Sequence, residues 1–405
     1  MSLPDVLKRG DEFLAQYPRT NALWQLGSHA TCLLTVGISK FILKTCYNVQ
    51  LNHFDRLENA LDRSVSENRG LMTVMNHMSV VDDPFIWGVF PWRIYRDLDH
   101  IRWCLGAHNV CFQSKFLATF FSLGKVLSTQ RFGGGPFQGS IDASVRLLSP
   151  DDTLDLEWTP SWAQTPTPTD TPQQAHMATV SKLAKNYTPP VKRTKPSWVH
   201  VYPEGFVLQL ESPYANSMRY FKWGITRMIL ESTKAPIVVP IFSTGFEKIA
   251  PESAAGTKIE RYLPRNFGAE INVTVGDPIS EEIIRAYREE WKLLVEKFHD
   301  PKNPTDLTTE LKVGKDAQDL RSRLASELRA HVARVRHESR NLPVEDERFQ
   351  SPQWWKQYTE SEGQSDPAVK FIGKNWAVRR LQKFLNEHEN NDDSTKSNTE
   401  PDIKK

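Results

Sequence analysis

In the stretch Met75-Asn76-His77-Met78-Ser79-Val80-Val81-Asp82-Asp83-Pro84-Phe85, an imidazole is followed five positions later by a carboxylate. A histidine held through one ring nitrogen by a carboxylate presents the other as a general base. Such a base can take the proton of a hydroxyl, an effect worth ~10² to 10⁴ in rate. This separation sets the two side chains on opposite faces of a strand and on poorly matched faces of a helix, so they meet only across a turn. The sequence supplies one. The apolar run at 71–75 reads as a strand, Asp83 is expected to cap a helix, and Pro84 suits its first position, where the preset φ and missing N–H do no harm. Ser79 is expected to hold the turn and not to react. Taken alone, H-x4-D is common by chance, and a structural histidine at a strand end accounts for it equally.

A second carboxylate sits in Tyr202-Pro203-Glu204-Gly205. Pro and Gly close a strand over 199–202 and leave Glu204 at its C-terminal end, where α/β sheets bind ligands. Glu204 is expected to accept hydrogen bonds from a polyol hydroxyl, against the competing reading of a solvated loop carboxylate. Between the two segments, Arg131 precedes Gly133, Gly134 and Gly135. Arg131 can bind phosphate bidentately, and the glycines allow either close backbone approach to a ligand or a flexible loop. Gln138 stands where the last glycine of G-x-G-x-x-G would fall, which argues against a dinucleotide site. No G-x-S-x-G, Walker A or H-E-x-x-H stretch occurs.

The elements that must position these residues alternate. Strands at 71–75, 199–202, 235–242 and 270–276 are interleaved with helices suggested at 85–90, 116–127 and 221–233. This predicts an α/β domain with a central, largely parallel sheet flanked by helices. A helix starting near Ser280, with Glu281 and Glu282 in its first turn, and another over 315–339 follow. In the apolar region 22–49, Leu23, Leu26, Ala30, Leu33, Leu34, Gly37 and Phe41 recur at helical spacing, with Gln25, His29, Lys40 and Lys44 on another side. That pattern predicts an amphipathic helix. Lys40 and Lys44 interrupt it short of the ~20 residues that span a bilayer, which favours a helix in the membrane interface, with Trp24 and Tyr47 at headgroup level. Docking on the domain's own core is the competing reading. Residues 150–197, rich in Pro and Thr, read as a surface insertion, 371–387 as a basic amphipathic helix and 389–405 as a disordered tail. Four parts are therefore expected: an N-terminal segment (1–50), a main domain carrying the insertion (51–300), a helical C-terminal extension (301–388) and the tail.

Composition narrows the function. With 39% hydrophobic residues among 405, the chain can bury a sizeable core. A formal charge of +2, from 51 basic and 49 acidic residues, leaves no footprint for nucleic acid. Cys32, Cys46, Cys104 and Cys111 form no C-x-x-C pair and lack histidines at zinc spacing, so neither a metal site nor a disulfide scaffold is indicated. Asp5, Asp11 and Glu12 argue against a cleaved Arg-rich transit peptide, and the first twenty residues lack the apolar core of a secretion signal, so any targeting signal is expected to be internal.

Together, N-H-x-S-x-x-D at 76–82, Arg131, Y-P-E-G at 202–205 and P-I-V-V-P-I-F-S-T-G at 236–245 resemble, in content and order, the four motifs of glycerolipid acyltransferases. The resemblance covers roughly residues 20–295. Asp82-Asp83-Pro84, W-V-H-V-Y-P-E-G with a downstream F-K-W-G, and Phe206-Val207 in place of Thr-Arg are similar to the CoA-independent mitochondrial phospholipid transacylases of that family. Departures are a spacing from Gly124 to Arg131 one residue longer than usual, the long insertion, and a region after about residue 340 without counterpart. The resemblance implies a glycerolipid-acyltransferase-type domain with an N-terminal membrane-interface helix. It implies His77 as general base oriented by Asp82, substrate binding by Arg131, Tyr202, Pro203, Glu204 and Gly205, and a turn supported by Asn76, Ser79 and Asp83. No cofactor or metal is expected. The implied partners are phospholipids and lysophospholipids (cardiolipin, monolysocardiolipin, phosphatidylcholine), the membrane surface and membrane protein complexes. The implied place is peripheral or monotopic on the inner and outer mitochondrial membranes, facing the intermembrane space. A CoA-dependent lysophospholipid acyltransferase using the same His–Asp pair is the first alternative, and a non-catalytic lipid-binding or scaffold protein the second.

Overall fold

The computed structural model describes residues 13–14, 16–17, 21–131, 135–149, 197–252, 263–300, 307–360, 366 and 368–370. The Pro/Thr-rich insertion, the basic helix expected at 371–387 and the tail lie outside the described residues.

The four strands read from the sequence form within two residues of their expected bounds, and three more join them. The strands are β1 (Asn48–Asn52), β2 (Leu71–Met75), β3 (Trp103–Ala107), β4 (Val126–Thr129), β5 (Trp198–Val201), β6 (Ile237–Thr244) and β7 (Glu270–Val275). They make one sheet in the order β1-β7-β6-β2-β5-β3-β4. Every neighbouring pair is parallel except β6 with β7. All residues of β2 are buried, as expected of a central strand covered on both faces. β1, β3 and β4 escape sequence reasoning because N-V-Q-L-N, W-C-L-G-A and V-L-S-T are only four or five residues long, too short for their pattern to stand out.

Seven helices organise the layers: α1 (Ala22–Cys46), α2 (Phe54–Ser66), α3 (Asp82–Val89), α4 (Lys115–Leu123), α5 (Gly139–Leu148), α6 (Glu281–Phe298) and α7 (Lys315–Arg340). One core cluster collects residues of α5, α6 and α7, the other residues of α1, α2 and α3. α6 starts as expected, with Ser280 Oγ accepting from Ile283 N–H at 3.3 Å. Two expected helices are corrected. The span 116–127 divides because Gly124 ends α4 and Lys125 takes a left-handed conformation (φ 60°), after which the chain enters β4. The span 221–233 contracts to single turns at Trp223–Thr226 and Arg227–Leu230.

α7, from the expected C-terminal extension, belongs to the main core through Leu320, Leu324, Leu328 and Val332. It is also tied there electrostatically. Buried Arg227 pairs with Asp142 of α5 (3.0 Å) and Glu231 (2.6 Å), and Arg321 of α7 reaches the same Glu231 (3.4 Å).

α1 is the helix expected at 22–49, but its faces are arranged differently. Ser28, Cys32, Val36, Ser39 and Leu43 are buried against the protein. At Gly88 of α3 an added Cβ would lie 2.8 Å from the backbone of Lys40, so a glycine is what lets these helices cross closely. The polar residues do not all seek water: His29 Nε2 bonds the Tyr95 carbonyl (2.9 Å) and Lys40 Nζ donates to the Phe90 carbonyl (2.8 Å). The carbonyls near the end of α3 and beyond it need donors, and α1 supplies them. Leu23, Leu26, Leu34, Ile38 and Phe41 are left exposed on the opposite side. Tyr47 is not an interfacial anchor, because it is buried and its hydroxyl donates to the Arg265 carbonyl. Trp24 is half-buried against the core. By length and composition alone α1 is also long and apolar enough to cross a membrane.

Candidate active site

β2 ends at Met75, and the next seven residues build the turn that brings His77 to Asp82. Asn76 pins its start to β6, donating from Nδ2 to the Ser243 carbonyl (3.0 Å) and accepting from Ser243 N–H (2.9 Å). One oxygen of the buried Asp82 carboxylate, Oδ2, receives His77 Nδ1 (2.8 Å), Met78 N–H (2.7 Å) and Ser79 N–H (3.0 Å). Within the turn, Ser79 Oγ accepts from Val81 N–H at 3.4 Å. With Nδ1–H facing the carboxylate, Nε2 carries the lone pair, and the His77 side chain keeps 22% exposure.

Asp83 takes the extended conformation expected of a residue capping a helix at Pro84 (φ −96°, ψ 107°), but its carboxylate is not used on the helix amides. Its carboxylate takes the Arg102 guanidinium at 2.7 and 2.9 Å and the Trp87 indole N–H. Burial opposes ionisation of Asp83, but Arg102 and Trp87 outweigh it and hold the carboxyl below its ordinary value. Asp83 therefore braces the base of the turn.

The Y-P-E-G segment follows β5, beside β2 in the sheet, so both turns leave from C-terminal strand ends. Tyr202 stacks on the His77 ring with centroids 4.6 Å apart and meets His200 edge-on. His200 is a buried core residue bonded to Thr73 Oγ1 (2.7 Å), and burial lowers its pKa to about 3, which keeps it neutral. Glu204 is a correction. Neither oxygen is offered to a polyol as expected: Oε1 accepts His77 N–H (2.7 Å) and Oε2 accepts Arg219 N–H (2.7 Å). Burial pushes its pKa up to about 8 against the pull of those two amides. The Pro203 carbonyl accepts from Lys222 N–H (2.9 Å), and Gly205 adopts φ 71°, which favours glycine. The His77 carbonyl is held too, by Leu208 N–H at 3.2 Å.

Arg131, two residues past β4, donates to the Gly205 carbonyl (3.2 Å) and Asn109 Oδ1 (3.4 Å), which places it beside Y-P-E-G. Around the Phe206 ring it meets two cations that sequence reasoning missed: Arg219 (4.5 Å from the centroid) and Lys222 (4.8 Å), with Arg131 itself at 5.6 Å. Burial first, then repulsion from Arg219 and Arg131, lowers the Lys222 pKa to about 7. Arg131, Arg219 and Lys222 thus gather around one aromatic ring. Of the three, Arg131 was read from the sequence and Lys222 lies in the F-K-W-G stretch, whereas nothing in the sequence marked Arg219.

The sequence pattern of the Acyltransferase family matches residues 56–244, the span that holds every one of these groups. The chain is 66% identical to the Saccharomyces cerevisiae protein named tafazzin over 385 residues, 95% of this chain and 97% of that one. The chain belongs to the tafazzin family. A Dictyostelium discoideum protein named taffazin is 29% identical over 60% of this chain and 67% of its own length. An Arabidopsis thaliana protein named N-acylphosphatidylethanolamine synthase is 26% identical over 65% of this chain and 75% of its own. As a member of the tafazzin family the protein is an acyltransferase, and its substrates are lipids.

One cavity in this tafazzin-family chain is mostly apolar and lies against the turn between His77 and Pro84. Val80, Val81 and Pro84 line one side, Cys32 and Val36 of α1 another, and Phe120 and Phe121 of α4 a third. The Asp83–Arg102 pair forms a polar part of its wall.

Proposed function

We propose that this acyltransferase moves an acyl chain from a phospholipid to a lysophospholipid without CoA, with His77 as general base. The observation that carries the reading is the imidazole locked at Nδ1 by Asp82, with Nε2 left to act. Nε2 takes the proton of the lysophospholipid hydroxyl as that oxygen attacks the ester carbonyl of the donor. The tetrahedral intermediate collapses, the ester bond of the donor breaks, and the leaving alkoxide recovers the proton from Nε2–H. Arg131, Arg219 and Lys222 hold a lipid phosphate, and the cavity under α1 takes an acyl chain. The bonds broken and formed are similar esters, so the exchange is close to thermoneutral and lipid packing sets the final acyl pattern.

Cardiolipin remodelling, with phosphatidylcholine as donor and monolysocardiolipin as acceptor, and a place on mitochondrial membranes facing the intermembrane space are carried over from the family resemblance. The test uses purified protein in liposomes of labelled phosphatidylcholine and monolysocardiolipin without CoA. Label transfer supports the reading; transfer that starts only when acyl-CoA is added overturns it.

Two further results are expected. Lys222 loses its proton as pH rises through about 7, so a phosphate is held more tightly below that pH than above it. The KM for lysophospholipid is expected to rise about tenfold between roughly pH 6 and 8, and Lys222→Arg, whose charge persists, to flatten that profile. An unchanged profile in the arginine variant would remove Lys222 from the phosphate site. The exposed side of α1, extended by Trp92 and by Phe116 and Phe120 of α4, is the proposed membrane-facing surface. Leu34→Glu with Phe41→Glu is expected to weaken liposome sedimentation by at least about tenfold, since each large apolar side chain contributes roughly 1.5–3 kcal/mol when buried. Equal sedimentation of the double variant would assign the membrane contact elsewhere.

A further inference from the structure

Arg329 lies on α7, in the region read from the sequence as a C-terminal extension, and the acyltransferase match ends well before it. Its buried guanidinium donates from Nε to the Arg219 carbonyl (3.0 Å), and from Nη2 to the Met218 carbonyl (2.9 Å) and Glu345 Oε2 (2.8 Å). The other Glu345 oxygen accepts Met218 N–H. Both carbonyls and one amide of the Met218–Arg219 backbone are thus engaged by Arg329 and Glu345. The remaining amide, Arg219 N–H, goes to Glu204, whose second oxygen holds His77 N–H. A continuous path of hydrogen bonds, most of them charge-assisted, runs from α7 to the turn of His77.

We propose that the Arg329–Glu345 pair positions His77 for acyl transfer, acting through the Arg219 backbone and Glu204; this rests on the reading of His77 as the base. The segment 206–220 is mostly irregular and contains no sheet strand that could fix Arg219. Arg329 and Glu345 provide that floor. A planar guanidinium can bridge two carbonyls and a carboxylate at once, and a lysine ammonium does not reproduce the fork. The bonds from Arg329 to the two carbonyls and from Arg219 N–H to Glu204 are buried, where such bonds are strong and specify one geometry. A displacement of about 1 Å at a reacting group can cost ~10²-fold in rate, so a support that fixes the His77 amide acts on kcat. The same Arg219 backbone carries one of the three cations around Phe206, so a loosened floor also disturbs that cluster.

The experiment measures liposome transacylation by the full chain, with kcat, KM and thermal midpoint for each variant. Arg321→Met is the control, since Arg321 docks α7 on Glu231 without touching Met218 or Arg219. Arg329→Met is expected to lower kcat about tenfold or more, while Arg321→Met, at a similar or larger loss of thermal midpoint, keeps kcat within about twofold. Arg329→Met is also expected to add little to the kcat loss of Glu204→Gln, because both cut one path. Should Arg329→Met fail to fold, Glu345→Gln, the milder change, is expected to lower kcat in the same direction. The proposal is overturned if kcat tracks the thermal midpoint alike in Arg329→Met and Arg321→Met, if Arg329→Met and Glu204→Gln act additively, or if Glu345→Gln leaves kcat unchanged. Failure of the base reading appears separately, as transfer that survives His77→Gln.

Discussion

His77→Gln is expected to reduce acyl transfer by about 10² to 10⁴ while leaving the fold in place. Glutamine fills similar space but takes no proton from a hydroxyl at neutral pH. The turn itself does not depend on the imidazole, because Asp82 Oδ2 keeps the Met78 and Ser79 amides and Asn76 stays bonded to Ser243. The loss should therefore appear in kcat, with near-ultraviolet circular dichroism and thermal midpoint almost unchanged. Asp82→Asn should also be impaired: an amide no longer fixes the Nδ1–H tautomer, and the wrong tautomer presents Nε2–H to the substrate. Transfer at the wild-type rate by a folded His77→Gln protein would assign the chemistry to another group.

Glu204→Ala is expected to be the larger structural lesion. It removes the acceptor of two backbone amides at once, His77 N–H and Arg219 N–H, from a site that is 1% exposed. An unsatisfied buried donor costs about 1–3 kcal/mol, so the pair amounts to roughly 2–6 kcal/mol if neither amide finds water. Denaturant unfolding should show a lower midpoint, and kcat should fall because the His77 amide loses its anchor. Glu204→Gln should lie between wild type and Glu204→Ala, since it keeps one acceptor oxygen but points an N–H group at the other amide. If the alanine variant unfolds at the wild-type denaturant concentration, the two amides have another acceptor and Glu204 is not a strut. A substrate-binding role alone would instead raise KM and leave the unfolding midpoint where it was.

The two predictions separate roles that the motifs present side by side. His77 and Glu204 both stand at C-terminal strand ends in a sheet of this kind, and either could have been taken for a substrate-facing group. Hydrogen bonding distinguishes them. His77 has one ring nitrogen engaged by Asp82, on a side chain that is 22% exposed, whereas both Glu204 oxygens are taken by backbone.

Several features were determined by the sequence alone. The fold class followed from apolar runs alternating with helical patterns, because period and turn residues are local properties of the chain. The His77–Asp82 turn was legible from Pro84 and the strand before it, and the resemblance of four ordered motifs agreed with the family the chain belongs to. The tertiary structure decided the rest. β1, β3 and β4 exist because neighbouring strands complete their hydrogen bonds, which a four- or five-residue segment does not announce. The Asp83 side chain is an ion-pair partner and leaves the helix amides alone because Arg102, nineteen positions away, is folded onto it. α1 turns His29 and Lys40 inward and Leu23, Leu26 and Leu34 outward because the backbone carbonyls of Phe90 and Tyr95 lie beneath it. Glu204 is a strut because Arg219 folds back beneath it, and Arg219 is held by Arg329 from a helix more than a hundred residues later. These are contacts between distant positions, set by packing and by the need of buried polar groups for partners, and no local pattern of residues encodes them.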